Sequence, residues 1–119
     1  MASLNIRVSQ MDAGLPVTVM HLEGEIDAHT HIDLDERAIQ VVKDGARNVL
    51  LDMTGTTYMS SAGFRSIHRL LTALKDAGAE EGSLKLLKPS TTIKGLLKAM
   101  GFDLHVESFE DLNTAIAAF

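Results

Sequence analysis

The alternation of hydrophobic and polar positions predicts that the chain begins with a β-hairpin. The stretch "LNIRVSQ" (residues 4–10) places an apolar residue at every second position, which is the period of a half-buried strand. The stretch "PVTVMHLEG" (residues 16–24) repeats this period, and its Val-Thr-Val segment has high strand propensity. Between them, Asp12, Ala13 and Gly14 favour a turn. We therefore expect two antiparallel strands joined by a short connection.

Apolar residues at a spacing of three to four then predict four helices. In the first, Thr30 and Asp33 form the pattern of a capping box, with Asp in place of the usual Glu. A capping Ser or Thr precedes each predicted helix, and a glycine ends the first three. These boundaries are Thr30 to Gly45, Ser61 to about Gly78, Ser90 to Gly101, and Ser108 with Asp111 onward.

Three further strands are predicted between the helices. "NVLLDMTG" (residues 48–55) and "LKLLKP" (residues 84–89) are nearly continuous apolar runs, as expected for strands buried on both faces. "DLHVES" (residues 103–108) has the composition of a short edge strand. Strands that alternate with helices indicate a largely parallel sheet with right-handed crossovers. The prediction is a single α/β domain over residues 1–119.

Composition and charge exclude several classes of function. The chain has 119 residues, of which 45% are hydrophobic, and its net charge is -5. An acidic chain with one Tyr and no Trp lacks the cationic and stacking surfaces that bind nucleic acid. No apolar run approaches the roughly 20 residues of a membrane span, and the first residues lack the pattern of a secretory signal. We expect a cytoplasmic protein that binds neither nucleic acid nor membrane.

The adjacent residues Ser60 and Ser61 are the strongest candidates for chemistry. Ser61 directly precedes the second helical pattern, so it is predicted to be the N-cap. A helix N-terminus also suits a phosphate, because its free N–H groups and partial positive charge stabilise an anion. Ala62 and Gly63 are small and leave that end open to another protein's active site. Ser61 is therefore either a structural cap or a phosphorylation target.

Other candidate chemistry is weaker. Asp52 ends a buried strand, as does the phosphorylated aspartate of a bacterial receiver domain, but only Asp12 stands where receivers carry an acidic pair. The simpler interpretation is that Asp52 fixes the following turn. The five histidines show no metal-ligand spacing, "SSAG" does not match the hydrolase elbow, and no phosphate-binding or dinucleotide motif occurs. No metal or cofactor is expected.

Two segments together resemble the STAS domain, specifically the bacterial anti-sigma factor antagonists. "LEGEIDAHT" (residues 22–30) is similar to the loop before the family's first helix, and "LLDMTGTTYMSSAGFRSIHRLL" (residues 50–71) to its strand, serine segment and second helix. The later "KPSTTIKGLLKAMGF" (residues 88–102) fits the third helix. The resemblance implies a small mixed, mostly parallel sheet with about four helices packed mainly on one face.

The resemblance also implies a function without catalysis. Family members bind a histidine-kinase-like serine kinase, which is the anti-sigma factor, and release it once that kinase phosphorylates them; a metal-dependent serine phosphatase reverses the reaction. By position Ser61 is the phosphoacceptor, with Ser60 as the alternative, because Ser60 stands where the family often has Asp. Glu25 and Asp27 are expected in the loop beside it, where they either contact the partner or form the turn. The implied partner-binding set is Glu25, Asp27, Ser60, Ala62, Gly63 and Arg65.

Two alternatives stay open at this point. Some STAS proteins are constitutive subunits of transport ATPases or sensory complexes and carry no phosphorylation switch. The other alternative is the receiver-like domain with Asp52 as an aspartyl-phosphate site.

Overall fold

Strands and helices alternate along the chain in the computed structural model, which describes residues 2–12 and 14–119. Within these residues there are six strands, four α-helices and a short 3-10 helix at Phe102–Leu104. The strands are β1 (Leu4–Asp12), β2 (Pro16–Ile26), β3 (Val49–Asp52), β4 (Thr56–Met59), β5 (Leu84–Leu87) and β6 (Glu107–Phe109). The helices are α1 (His31–Lys43), α2 (Ser61–Asp76), α3 (Thr91–Ala99) and α4 (Leu112–Ala117).

The strands form one mixed sheet in the order β1-β2-β3-β5-β6, and β4 also pairs with β2. Only β1 and β2 are antiparallel, as the alternating pattern predicted; the other described pairs are parallel. Of the predicted turn, Ala13 lies outside the described residues, and the Asp12 carboxylate accepts a hydrogen bond from the Gly14 N–H at 2.9 Å. β3 and β4 pair with successive parts of the same side of β2.

The two faces of the sheet carry separate hydrophobic clusters. The larger cluster joins the sheet to α1, α2 and α3 through residues such as Leu34, Ile67 and Leu97. The smaller cluster joins the opposite face to α4 through Ala115 and Ile116. Three of the four α-helices in the described chain thus pack on one face, which confirms the predicted arrangement. None of the described helices combines the length and apolar character needed to cross a membrane.

The structure adds one element and corrects two predicted boundaries. The prediction did not include β4, whose four residues have buried ends and an exposed middle. The last strand starts at Glu107 rather than at Asp103, because Phe102–Leu104 forms the 3-10 helix. Ser108 lies inside β6, and Asp111 caps α4 by accepting a hydrogen bond from the Thr114 N–H at 2.9 Å.

Candidate functional site

The site forms where two parallel strands end side by side. β2 leads into α1 through residues 27–30, and β4 leads into α2 through Ser60. The Ser60 N–H donates to the Ile26 carbonyl at 2.8 Å, so the start of α2 is fixed against the end of β2. Glu25 is the register partner of Tyr58 in β4. Parallel strands have their carboxyl ends at the same edge of a sheet, and the predicted site residues Glu25, Asp27 and Ser61 therefore lie together.

An irregularity in the pairing of β2 with β4 shapes this edge. The register shifts between Gly24 and Glu25, and Gly24 has a φ of +119°. A Cβ at Gly24 would overlap the Ser3 carbonyl oxygen, which accepts a hydrogen bond from the Glu25 N–H at 2.9 Å. Glycine is therefore required both by the backbone conformation and by the close approach of the neighbouring chain.

Ser60, not Ser61, is the N-cap of α2. Its backbone is extended (φ -87°, ψ 177°), and its hydroxyl oxygen accepts a hydrogen bond from the Ala62 N–H at 3.2 Å. The predicted cap at Ser61 is wrong by one residue. Serine is a preferred N-cap residue, so the sequence permits either position. The hydrogen bond from the Ser60 N–H to β2 holds Ser60 outside the helix and makes it the cap.

Ser61 is the first helical residue of α2, and its side chain is exposed. Within residues 2–12 and 14–119, its hydroxyl makes no hydrogen bond to another protein group. Arg65 lies one turn further along the helix and is also exposed. The first turn of α2 carries no acidic residue, so the partial positive charge of the helix end is not neutralised there. An anion at Ser61 is electrostatically compatible with this position.

Ala62 and Gly63 are buried, in contrast to the exposed Ser61 that precedes them. A Cβ at Gly63 would overlap the Met59 Cγ and lie 2.9 Å from the Ile26 Cγ2. The missing side chain lets α2 approach the ends of β2 and β4. Phe64 is buried in the core, as its helical spacing predicted. These residues position the exposed serine and do not themselves form the outer surface.

Asp27 forms the turn between β2 and α1. One carboxylate oxygen accepts hydrogen bonds from the His29 N–H at 2.8 Å and the Thr30 N–H at 2.9 Å. These bonds hold the pKa of Asp27 below its ordinary value, and the bond from Thr30 has the larger effect. The predicted capping box is absent from the described residues: the Thr30 hydroxyl makes no cap hydrogen bond and instead donates to the Glu25 carbonyl at 2.7 Å. Thr30 stands at the predicted N-cap position of α1, and the Asp27 carboxylate fixes the turn that precedes it.

A network of polar side chains joins α1 to α2 behind this site. The Arg69 guanidinium donates to both Asp35 carboxylate oxygens, at 3.2 and 2.7 Å. His31 contacts the same carboxylate at 3.1 Å, and the Arg69 guanidinium also donates to the buried Ser66 hydroxyl at 3.2 Å. Burial alone would raise the pKa of Asp35, but the bonds from Arg69, Ser66 and His31 lower it overall. Ser66 in turn donates to the Ala62 carbonyl at 3.2 Å, which connects this network to the first turn of α2.

A second polar cluster lies on the other face of the sheet and was not predicted. The Asp52 carboxylate contacts the His21 Nδ1 at 2.7 Å, and the His21 Nε2 lies 3.0 Å from the Ser9 Oγ. The other Asp52 oxygen accepts from the N–H and hydroxyl of Thr54, at 3.0 and 2.6 Å. Burial raises the pKa of Asp52, but the bonds from Thr54 and His21 outweigh it and lower the pKa overall. Asp52 therefore fixes the following turn, which agrees with the simpler sequence interpretation and gives the receiver alternative no support.

The period of two in the strands was the only sequence signal for this cluster. This period places Ser9 and Arg7 on the same side of β1, and His21 and Val19 on the same side of β2. The pairing of three separate strands decides whether these sides meet, and the sequence does not specify that register.

Comparison with known proteins agrees with the fold. Residues 9–115 match the sequence profile of the STAS domain. Among solved structures, an anti-sigma factor antagonist from Mycobacterium paratuberculosis is similar with a TM-score of 0.78 and 20% identity, covering 98% of this chain and 93% of that one. A putative anti-sigma factor antagonist from Thermotoga maritima has a TM-score of 0.77 and 14% identity, covering 93% and 91%.

The unphosphorylated form of the anti-sigma factor antagonist SpoIIAA has a TM-score of 0.70 and 16% identity, covering 92% of each chain. No curated protein matches the sequence. At these identities the structural likeness establishes the fold, which is that of the anti-sigma factor antagonists.

Proposed function

Because this chain belongs to the STAS domain family, we propose that it is a phosphorylation-controlled interaction module of the anti-sigma factor antagonist type and not an enzyme. The observation that carries the proposal is the exposed Ser61 hydroxyl on the first turn of α2. Its neighbour Ser60 already has a structural role as the helix cap. The phosphoacceptor is therefore Ser61, and Ser60 is the alternative that the experiment below tests.

The position of Ser61 suits transfer of a phosphoryl group by another protein. Ser61 is exposed and lies beside the carboxyl ends of the parallel strands β2 and β4, so a kinase active site reaches its hydroxyl without unfolding the helix. A phosphoryl group adds about -1.5 to -2 charges, and the N–H groups of the first turn stabilise that charge. The modification therefore changes the surface and leaves the fold intact.

The proposed partner surface surrounds this hydroxyl. Ser60, Ser61 and Arg65 present polar groups from α2, while Glu25 and Asp27 present carboxylates from the adjoining edge. Ala62 and Gly63 contribute by holding α2 close to the strands, since both are buried. The acidic groups on this surface suit a partner with Arg or Lys at its docking site.

Release of the partner follows from the added charge. In a docked interface the phosphate loses its water, and it faces any acidic groups of the partner as well as any nucleotide that the kinase holds. A loss of about 2–4 kcal/mol would weaken binding roughly 30- to 1,000-fold. The structural neighbour SpoIIAA is known in both unphosphorylated and phosphorylated forms, the latter from Bacillus, which supports a switch of this kind.

The proposed partners are a histidine-kinase-like serine kinase, acting as the anti-sigma factor, and a metal-dependent serine phosphatase that restores the unmodified form. The output is transcriptional when the kinase alternates between this chain and a sigma factor. A protein of this kind acts in the bacterial cytoplasm.

The test incubates the full chain with each histidine-kinase-like serine kinase of the same genome and ATP, and measures phosphate incorporation by intact mass and peptide mapping. Wild type and Ser60→Ala should each gain one phosphate at Ser61, and Ser61→Ala should gain none. In binding measurements, Ser61→Ala should hold the kinase persistently, and Ser61→Asp should bind at least about 30-fold more weakly.

Phosphate at Ser60, or equal affinity of the Ala and Asp variants, would contradict the assignment of Ser61. Stable binding of an ATPase or sensory subunit, without phosphate incorporation from any of the kinases, would instead support the constitutive alternative.

A further inference from the structure

The hydrogen-bonded series Ser9–His21–Asp52 has the geometry of an activated nucleophile. We propose that Ser9 is a reactive serine that accepts short acyl groups from small activated esters. This proposal is independent of the switch at Ser61, because the three residues lie on the sheet face that packs against α4, opposite the face covered by α1, α2 and α3. It concerns a second site of different chemistry.

The distances and order of the three groups match the requirements of nucleophilic catalysis. The Ser9 Oγ lies 3.0 Å from the His21 Nε2, within reach for proton transfer, and the His21 Nδ1 lies 2.7 Å from the Asp52 carboxylate. A nucleophile needs an adjacent base, and the base needs a third group to fix its orientation and tautomer. Asp52 is itself held by two hydrogen bonds from Thr54. Thr54 thus fixes the Asp52 carboxylate, and the carboxylate orients the His21 ring.

Rigid strands carry all three groups. Asp52 is the register partner of His21 in the parallel β2–β3 pair. In the antiparallel β1–β2 pair Arg7 lies opposite His21, and Ser9 follows Arg7 by two residues. The His21 and Asp52 side chains are each 19% exposed, and Ser9 is half-buried. The arrangement is therefore ordered by the sheet and still open to a small reagent.

Arg7 supplies a positive charge at the same place. It is the register partner of His21 and lies two residues from Ser9 on β1, so its side chain is on the same face. The Arg7 side chain is 63% exposed, and its guanidinium lies 3.9 Å from the Glu23 carboxylate. An exposed ion pair at this separation holds the guanidinium only weakly. Directly opposed residues of paired strands have Cβ atoms about 5 Å apart. Arg7 is therefore placed to stabilise negative charge that develops beside Ser9.

The surroundings limit the size of the acyl group. Val19 is the register partner of Ser9, and Leu87 is the register partner of Asp52. Both are buried in the cluster that α4 covers. These buried neighbours close the α4 side of the site, so we limit the proposed reagent to an acetyl-sized group on an activated ester that approaches along Arg7, Ser9 and His21.

The reaction is an acyl transfer without oxidation or reduction. The Ser9 oxygen attacks the acyl carbon as its proton passes to the His21 Nε2, and the developing oxyanion faces Arg7. The bond from the acyl carbon to the leaving oxygen then breaks, and His21 returns the proton to the leaving alcohol. The products are the acyl ester of Ser9 and the free alcohol. With a fluorophosphonate the same attack forms a phosphorus–oxygen bond and releases fluoride.

The experiment measures labelling of the folded full chain with a fluorophosphonate probe and with p-nitrophenyl acetate, followed by peptide mapping. One adduct per chain is expected, at Ser9, and Ser9→Ala should lack it. A positioned base accelerates such a step by about 100- to 10,000-fold, so His21→Gln should lower the labelling rate by about 100-fold or more. Arg7→Gln, a change at an exposed side chain, should slow labelling without changing the thermal midpoint.

The matched control is Ser108→Ala, which removes an exposed serine from the other edge of the sheet and should label like wild type. Wild type unfolded in urea should label no faster than free serine. An adduct at another serine, equal labelling of Ser9→Ala, or labelling of the folded chain no faster than of the unfolded chain would each overturn the proposal. If His21→Gln does not fold, the comparison of Arg7→Gln with wild type still decides whether this strip activates Ser9.

Discussion

At the residue scale, two adjacent hydroxyl groups have different roles. Ser60 is half-buried, fixes its N–H to β2 and caps α2 with its side chain. Ser61 is exposed and forms the first residue of the helix. A change at Ser60 should therefore affect stability, and a change at Ser61 should affect the surface. Buried Ala62 and Gly63 maintain this division by keeping the following residues against the strands.

This division predicts different effects of two neighbouring substitutions. Ser60→Ala removes the acceptor for the Ala62 N–H and should lower the free energy of unfolding by about 0.5–2 kcal/mol. Ser61→Ala removes an exposed hydroxyl and should change it by less than about 0.5 kcal/mol. Urea unfolding at neutral pH measures both. If Ser61→Ala is the more destabilising of the two, the cap has been assigned to the wrong serine.

At the scale of the elements, the position of α2 depends on small residues and on the polar network to α1. Gly63 allows close approach to Met59 and Ile26, and the bidentate contact between Arg69 and Asp35 ties the middle of α2 to α1. The contact to α1 is partly exposed, and such pairs contribute little each. Close packing at Gly63 is therefore the stronger determinant of where the first turn lies.

Two glycine substitutions in helices should have effects of opposite sign. Gly63→Ala places a methyl group against Met59 and Ile26, and overpacking of this kind should cost about 1–3 kcal/mol. Gly95→Ala in α3 is the matched control. Apart from the chain neighbours of Gly95 and the backbone of its own helix, no atom of the described chain lies within 4 Å of the added methyl group. Gly95→Ala should gain about 0.5–1 kcal/mol from helix propensity. Urea midpoints of both variants test this, and stabilisation by Gly63→Ala would contradict the described approach of α2.

At the scale of the whole molecule, four carboxylates hold the ends of elements or join separate elements. Asp27 closes the turn from β2 to α1, Asp35 links α1 to α2, Asp52 links β3 to β2, and Asp111 caps α4. In each case hydrogen bonds lower the pKa of the folded carboxyl group. The ionised form is therefore the one that stabilises the fold.

This pattern predicts loss of stability in acid. Each of these carboxyl groups has a lower pKa in the folded state than in the unfolded state, where it is about 3.9. Its contribution to the free energy of unfolding is therefore complete above the unfolded pKa and is lost as the pH falls through the folded pKa. The free energy of unfolding should thus fall as the solution is taken from about pH 5 to pH 2. Asp52→Asn should be less stable than wild type at neutral pH, show a shallower fall, and approach wild type in acid.

Chemical denaturation at several pH values provides the measurement, with Glu36→Gln as the control at an exposed position of α1. Glu36→Gln should follow the wild-type profile. An Asp52→Asn profile parallel to wild type from neutral to acid pH would show that this carboxylate does not stabilise the fold in its ionised form.

Local patterns predicted the elements better than the contacts between them. The two-residue period of β1 and β2, the apolar run of β3 and the helical spacing of α2 each reflect burial of their own side chains, and the structure confirms them. β4 was missed because Thr56–Met59 is short and alternates too little to be distinguished from a loop.

Features set by distant partners could not be predicted in the same way. Both serines fit a helix cap, and only the bond from Ser60 to Ile26 decides between them. Thr30 occupies the predicted N-cap position, but its hydroxyl bonds the Glu25 carbonyl of β2 instead of an N–H group of the helix. The series Ser9–His21–Asp52 depends on the register of three strands. Contacts between separate elements determine each of these, and a short stretch of sequence does not show such contacts.

The separation of the structural cap from the exposed helix residue also has a practical consequence. The chain contains no cysteine, so Ser61→Cys would create a single thiol at the tip of α2 while Ser60 continues to hold the helix start. A fluorophore attached there would report on anything that approaches this surface, in the native fold and without competing attachment points. Because Ser60 holds the helix start and Ser61 is free of that role, a label at position 61 would report partner binding by a change in fluorescence.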